Sequence, residues 1–203
     1  MRELNELLIA TGNRGKIVEL QALLADLPVR LRGLDEFPDV AEVPETAPTI
    51  AGNAELKAVG YAKATRLWTL ADDSGLEATA LDGAPGVYSA RYGGVATSAG
   101  RMEFLLQNLK DVPDEQRQAR FVCVIALANP LAEIVFQATG VCPGRITREP
   151  RGAGGFGYDP IFVPDGYEQT FGELPAAVKN TFSHRARALR QVREWLMPKV
   201  VSA

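Results

Sequence analysis

The stretch Leu70-Ala71-Asp72-Asp73-Ser74-Gly75-Leu76 sets two adjacent carboxylates at the end of a short apolar run. Like charges repel, and at a partly desolvated strand end one of them shifts its pKa unless a cation sits nearby. Mg²⁺ suits such a place, because it prefers hard oxygen ligands and commonly brings a phosphate with it. A metal-assisted reaction on a phosphorylated substrate is the chemistry this pair suggests. Asp, Ser and Gly are also favoured turn residues, so a plain capped turn accounts for the same letters. Neighbouring side chains in a strand point to opposite faces, so Asp72 and Asp73 take different roles unless the strand has already ended.

Four further groups carry chemistry. Thr11-Gly12-Asn13-Arg14-Gly15-Lys16 lies between an apolar run and a helical pattern. Backbone N–H groups at a helix N-terminus attract anions, and Lys16 adds a full charge. The spacing is neither that of a Walker A loop nor that of a dinucleotide fingerprint, and an ordinary tight turn also fits. Glu45 stands in a Pro-rich stretch before Asn53 and Lys57, which share one helical face. Taken singly, each of the three reads as a surface residue. The glycine-dense segment Gly152 to Asp159 holds Phe156, Gly157 and Tyr158. Glycines let a backbone approach a ligand closely, and an aromatic among them suits stacking on a flat heterocycle. A hairpin connection with Phe156 plugging the core is the plainer alternative. Last come Lys179 and Ser183-His184-Arg185, donors for a base or a phosphate, although a lone His more often serves structure.

Elements must position these groups. Leu7 to Thr11 reads as a buried strand, and Ile17, Leu20, Leu23, Leu24 and Leu27 recur at helical spacing before Pro28. Val29 to Leu31 forms a short strand, Asp35 to Pro48 an exposed loop, and Thr49 to Arg66 an Ala-rich helix. Trp68 to Ala71 is the strand that delivers the Asp pair. A turn at Ala84 to Tyr88 precedes a helix over Ser98 to Leu109. Phe121 to Ala128 and Glu133 to Val141 form an antiparallel pair joined at Asn129-Pro130. A final helix starts at Ser183 and turns Ala186, Leu189, Val192 and Leu196 inward. Interleaved strands and helices with one adjacent strand pair indicate an α/β protein with a mixed sheet.

The 203 residues, 46% hydrophobic and 23% charged, suit one globular domain over 1–203. A net charge of −3 argues against a protein that coats nucleic acid. No apolar run reaches bilayer length, and the charged start Met1-Arg2-Glu3 does not read as a signal peptide. Cys123 and Cys142 read as reduced core thiols of a cytosolic protein, and with one His they make no zinc site.

Taken in order, Ala10 to Lys16, Asn53-Ala54 with Lys57-Ala58, Asp72 to Leu76, Gly83 to Tyr92, Gly154 to Phe162 and Ser183 to Arg185 resemble the inosine triphosphate pyrophosphatase family. The resemblance runs from near residue 8 to near residue 196. It implies an elongated mixed β-sheet with flanking helices, in two lobes around a central cleft. It also implies a cytosolic, Mg²⁺-dependent homodimer that hydrolyses ITP, dITP and XTP to the monophosphate and pyrophosphate. Under it, Thr11 to Lys16 and Lys57 hold phosphates, Asp73 is general base and metal ligand, Glu45 is the second metal contact, and Ser74 touches substrate. Phe156, Gly157, Tyr158, Asp159, Lys179, His184 and Arg185 then enclose the base, where His184 or Arg185 donates to the C6 carbonyl. One position departs: the family usually carries Glu before Asn-Ala, and here the residue is Gly52. Two other readings compete: a house-cleaning pyrophosphatase for other modified nucleotides, and a nucleotide-binding sensor without turnover.

Overall fold

The computed structural model describes residues 4–200. Its strands are β1 (Glu6–Ile9), β2 (Arg30–Gly33), β3 (Trp68–Ala78), β4 (Gln118–Ala128), β5 (Ile134–Ile146) and β6 (Phe162–Pro164). They form one six-stranded sheet in the order β2-β1-β3-β4-β5-β6. β1 runs parallel to both β2 and β3, whereas β5 and β6 are antiparallel, so the sheet is mixed. The turn between β4 and β5 is closed by Asn129 N donating to Glu133 O. A connection that short joins antiparallel neighbours.

The helices are α1 (Arg14–Leu24), α2 (Ile50–Thr65), α3 (Ser98–Asn108), α4 (Ala176–Phe182) and α5 (His184–Val200). Three of them start on side-chain caps: Asn13 for α1, Thr49 for α2 and Thr97 for α3. Each cap oxygen accepts from a backbone N–H that has no partner within the helix. The Arg66 backbone, left-handed at φ 58°, ends α2.

Two differences from the sequence reading matter. β3 does not stop at Ala71 but runs on through Asp72, Asp73 and Ser74 to Ala78. The polar letters break the apolar pattern, yet the backbone stays extended because cations from distant parts of the chain answer the charges. A short helix, α4, also stands before α5, where no helical period was legible.

The chain divides into two compact units. The first draws on Met1–Asp73, Cys123–Gly140 and Arg185–Ala203, and the second on Ser74–Val122 and Val141–His184. In the first, Leu20 and Leu24 of α1 and Leu189, Val192 and Leu196 of α5 pack with Leu7, Leu70 and Ile125 of the sheet. In the second, Leu105 of α3 packs with Leu76, Phe121, Ile161, Phe162 and Phe171. Burying each of these large side chains contributes about 1.5–3 kcal/mol. β3 leaves the first unit between Asp73 and Ser74.

Candidate active site

In the first unit, strand alternation sends the two aspartates to different company. Asp72 is fully buried, and its Oδ2 lies 3.1 Å from Lys16 Nζ. Arg185 Nε and Nη2 each donate to the same oxygen at 3.2 Å, while Nη1 donates to Glu19. Asp72 Oδ1 is buried with no hydrogen-bond partner among the described residues. Burial alone would push the Asp72 carboxyl up, but Lys16, Arg185 and Lys57 outweigh it and hold the group well below the usual carboxylate range. The same cluster raises Arg185: burial disfavours its charge, and the Asp72 and Glu19 carboxylates more than offset that. Cys123, whose Sγ is 3.9 Å from Asp72 Oδ2, is pushed up to about 12, by burial and then by that carboxylate. The thiol is therefore a neutral packing group.

Asp73 faces α2. Asn53 Nδ2 donates to Asp73 Oδ2 at 3.4 Å, and Lys57 Nζ lies 3.7 Å from Oδ1. Asn53 and Lys57 stand one turn apart on the buried side of α2. Asn53 Oδ1 also accepts from Ala47 N at 2.9 Å, which ties the Pro-rich loop to the strand. That tie brings Glu45 to Lys57, with Oε1 2.6 Å from Nζ, and Lys57 further donates to the Asp72 carbonyl at 2.7 Å. Lys57 thus stands between Glu45 and Asp73. Burial raises the Asp73 carboxyl above its ordinary value; Lys57 and Lys16 oppose the shift, and Glu45 and Asp72 reinforce it. Lys57 is raised in turn, because Asp72, Asp73 and Glu45 outweigh the effect of its burial. A carboxylate with a raised pKa beside a cation is suited to accept a proton.

The turn before α1 is already ordered. Asn13 N donates to Thr11 Oγ1 at 3.2 Å, and Asn13 Oδ1 accepts from Lys16 N at 3.2 Å. Gly12, Arg14 and Gly15 complete it, with Gly12 and Arg14 exposed. This end of α1 offers backbone N–H groups and the Lys16 ammonium within one turn.

The donor set can be tested for a divalent ion. No group of three or more His, Cys, Asp or Glu side chains converges among the described residues. Two carboxylates, Glu45 and Asp73, do flank one ammonium, so a single positive charge faces two negative ones there and leaves a net negative charge for a cation. A Mg²⁺ site commonly uses one or two carboxylates and takes its remaining ligands from water and phosphate. The residues fit that pattern. Gly52 adds no ligand, and the position is tight: a Cβ there would fall 2.7 Å from Ala47 Cβ and 3.1 Å from Thr49 Oγ1.

The second unit gathers the remaining candidates. Asp159 is buried, and its Oδ2 accepts from Phe156 N at 2.8 Å and from Lys179 Nζ at 2.6 Å. The Lys179 ammonium also lies 4.9 Å from the Phe156 ring centroid. Gly155 has φ +70°, and a Cβ there would sit 2.0 Å from Asp159 Oδ2, so only glycine lets the loop close on this carboxylate. Gly157 follows Phe156, and Tyr158 is buried, its hydroxyl donating to Ser89 O at 2.9 Å. Burial pushes that phenol up to about 12, so it is a permanent donor. His184 stacks on Phe121 with centroids 4.6 Å apart and planes 11° apart. Ser74 opens this unit's share of β3, half-buried.

Sequence reasoning grouped Arg185 with His184 around the base. The guanidinium instead engages Asp72 and Glu19 within the first unit, while His184 packs in the second. Glu19 and Phe121 were not anticipated. The legible trace of Glu19 was a carboxylate one helical turn after Lys16, beside the apolar Leu20.

Residues 7–195 match the model of the Ham1 family. A dITP/XTP pyrophosphatase of Halalkalibacterium halodurans is 45% identical over 195 residues, covering 95% of this chain and 100% of the relative. A second, from Nostoc sp., is 46% identical over 198 residues, covering 97% of this chain and 94% of the relative. Among solved structures, a HAM1 protein from Coxiella burnetii aligns with a TM-score of 0.86 at 44% identity, covering 95% of this chain and 98% of the other. The Staphylococcus aureus Ham1 protein aligns with a TM-score of 0.83 at 38% identity, covering 94% and 97% respectively.

Proposed function

The chain belongs to the Ham1 family, and on that footing we propose that it hydrolyses non-canonical purine nucleoside triphosphates, dITP, ITP and XTP, to the monophosphate and pyrophosphate. Such a substrate has a triphosphate and a flat base, and the chain has a distinct cluster suited to each. The observation that carries the catalytic reading is Asp73: a buried carboxylate, raised in pKa, bracketed by Asn53 and Lys57 in the middle of a strand.

In this reading Asp73 accepts the proton of a water that attacks the α-phosphorus. The Pα–O–Pβ bond breaks, and the electron pair leaves with pyrophosphate. Lys16 and the N–H groups at the start of α1 take phosphate charge, and Lys57 neutralises charge that grows in the transition state. Asp72 holds Lys16 in place, and Arg185 keeps Asp72 ionised. Glu45 and Asp73 would hold Mg²⁺, which supplies charge neutralisation on the phosphates and lowers the pKa of bound water.

On the base side, Phe156 supplies a stacking face with the Lys179 ammonium 4.9 Å from its ring, and His184 is the further donor this reading assigns to the base. A hypoxanthine or xanthine base presents a carbonyl acceptor at C6, where adenine presents an amino donor. A site built around a donor to that carbonyl leaves the donor unpaired when adenine enters, which discriminates by roughly 10⁴-fold. A cytosolic homodimer, as the resemblance implies, belongs to the same proposal; no described helix is long and apolar enough to cross a membrane.

The test is a pyrophosphate-release screen over ATP, GTP, dITP, ITP and XTP, with Mg²⁺ and with EDTA. Release from the deaminated nucleotides alone, abolished by EDTA, is the expected result. Equal rates on ATP, or no release from any of them, would refute the proposal.

A further inference from the structure

The loop that carries Phe156 is held from outside by a short segment, Thr170 to Glu173. Thr170 is fully buried, and its hydroxyl donates to the Arg151 carbonyl at 2.7 Å, where the loop begins. Gly154 N donates to Gly172 O at 2.9 Å, and Gly172 N donates to Asp159 O at 3.0 Å, where the loop ends. One segment therefore grips both ends of the loop. The grip is close: a Cβ at Gly152 would fall 2.2 Å from the Gly172 carbonyl, so two backbones meet with no side chain between them. Glu173 Oε2 in turn accepts from Thr170 N at 2.7 Å and lies 3.7 Å from Arg151 Nε. Between Thr170 and Gly172, the Phe171 ring faces Lys179 Nζ at 5.2 Å, the same ammonium that pairs with Asp159 and faces Phe156.

A loop with this many glycines has a large conformational freedom to lose on ordering. Left to itself it would present Phe156 in many poses, and a ligand would have to select one of them. A ligand's apparent affinity falls in proportion to the population of the competent pose. Bonds at both ends of the loop reduce that freedom before any base arrives.

We propose that Thr170 is a positioning residue for base recognition: its hydroxyl, supported by Glu173, fixes the root of the glycine loop so that Phe156 and Lys179 present one preformed face to the purine. The proposal rests on the functional reading given above. It concerns substrate binding and not the phosphoryl chemistry, so Thr170 shapes KM and leaves kcat alone. Interactions made equally in ground and transition states behave in this way.

The experiment compares Thr170→Val with Thr170→Ser. Valine matches the shape and removes the donor, and Glu173 N keeps its main-chain bond to Thr170 O at 3.0 Å. With dITP as substrate, the Val variant is expected to raise KM about tenfold, the scale of one net hydrogen bond. Its kcat and its inhibition constant for inorganic tripolyphosphate, which has no base, should match the wild type. The Ser variant should restore the wild-type KM. An unchanged KM in folded Val protein overturns the proposal, as does a parallel rise in the tripolyphosphate constant or a Ser variant that fails to recover. If Thr170→Val does not fold, the exposed Glu173 decides: Glu173→Ala should raise the dITP KM several-fold and Glu173→Gln, which keeps an acceptor, should not. Equal KM values in that pair overturn the proposal too. Failure of the wild type to release pyrophosphate from dITP would refute the functional reading instead.

Discussion

Arg185→Met exposes how the first unit tolerates a buried aspartate. Lys16 and Arg185 supply two positive charges, Asp72 and Glu19 two negative ones, so the group is neutral as it stands. Methionine fills much of the same space with a flexible apolar chain. It leaves two carboxylates against one ammonium, at a site where Asp72 has no exposure. Breaking a buried pair by removing one partner typically costs about 3–5 kcal/mol. A domain of this kind has roughly 5–15 kcal/mol in total, so the variant should fold while losing much of its margin. In urea unfolding, with a slope of about 2 kcal/mol/M, the midpoint should fall by about 1.5–2.5 M. The loss should depend on pH. The Asp72 carboxyl lies below its ordinary value in the folded protein, so its contribution is complete above that value and disappears as pH falls through the lower, folded one. Arg185→Met relieves that depression, so the two stability curves should lie far apart at pH 7 and converge below about pH 4. Adding Glu19→Gln restores charge balance, and the double variant should recover roughly 1–3 kcal/mol of the loss. A midpoint within about 0.3 M of wild type at pH 7, or a double variant less stable than Arg185→Met, would refute the reasoning.

Asp73→Asn should lower pyrophosphate release from dITP by at least about 100-fold while the protein stays folded, the lower end of what a positioned general base contributes; a rate near wild type removes Asp73 from that role. The same substitution should raise the melting temperature of the metal-free protein at neutral pH. Burial raises the Asp73 carboxyl, so its ionised form opposes folding above the folded pKa and the gain should fade as pH falls through the ordinary carboxylate range. In metal-free protein, the carboxyl ¹³C resonance of Asp73 should titrate above the ordinary aspartate value of about 3.9, and higher still in Lys57→Met, because Lys57 is the main group opposing the shift. A midpoint at or below the ordinary value would contradict the burial argument.

Much of the scaffold was legible because its periods are clean. Leu20, Leu23 and Leu24 mark α1, the Ala-rich face marks α2, and Ala186, Leu189 and Val192 mark α5. What escaped was set by contacts between distant residues. β3 looked as if it ended at Ala71 because Asp72, Asp73 and Ser74 are poor strand residues on propensity, and tertiary charge pairing overrides propensity there. α4 is a single short helix entered from Pro175, too brief for a period to show. Helical spacing placed Asn53 and Lys57 on one face, and the structure joins Glu45 to them, but Asn53 and Lys57 are buried and not the surface residues each suggests singly. Nothing in the spacing showed that Asn53 ties the Ala47 backbone to Asp73. Arg185 was read with its neighbour His184, because adjacent letters suggest a common target. The start of α5 instead carries one residue to each unit, which only the three-dimensional arrangement reveals.

Chain order gives the Asp72–Arg185 pair a consequence for biosynthesis. Arg185 follows Asp72 by 113 residues. At about 5–20 residues per second, a ribosome adds it roughly 6–23 s later. Throughout that interval the nascent β3 segment has no guanidinium to meet its aspartate, and the apolar stripe of α5 is missing as well. β3 therefore waits for α5, and Asp72 meets its full set of partners only once Arg185 has been made.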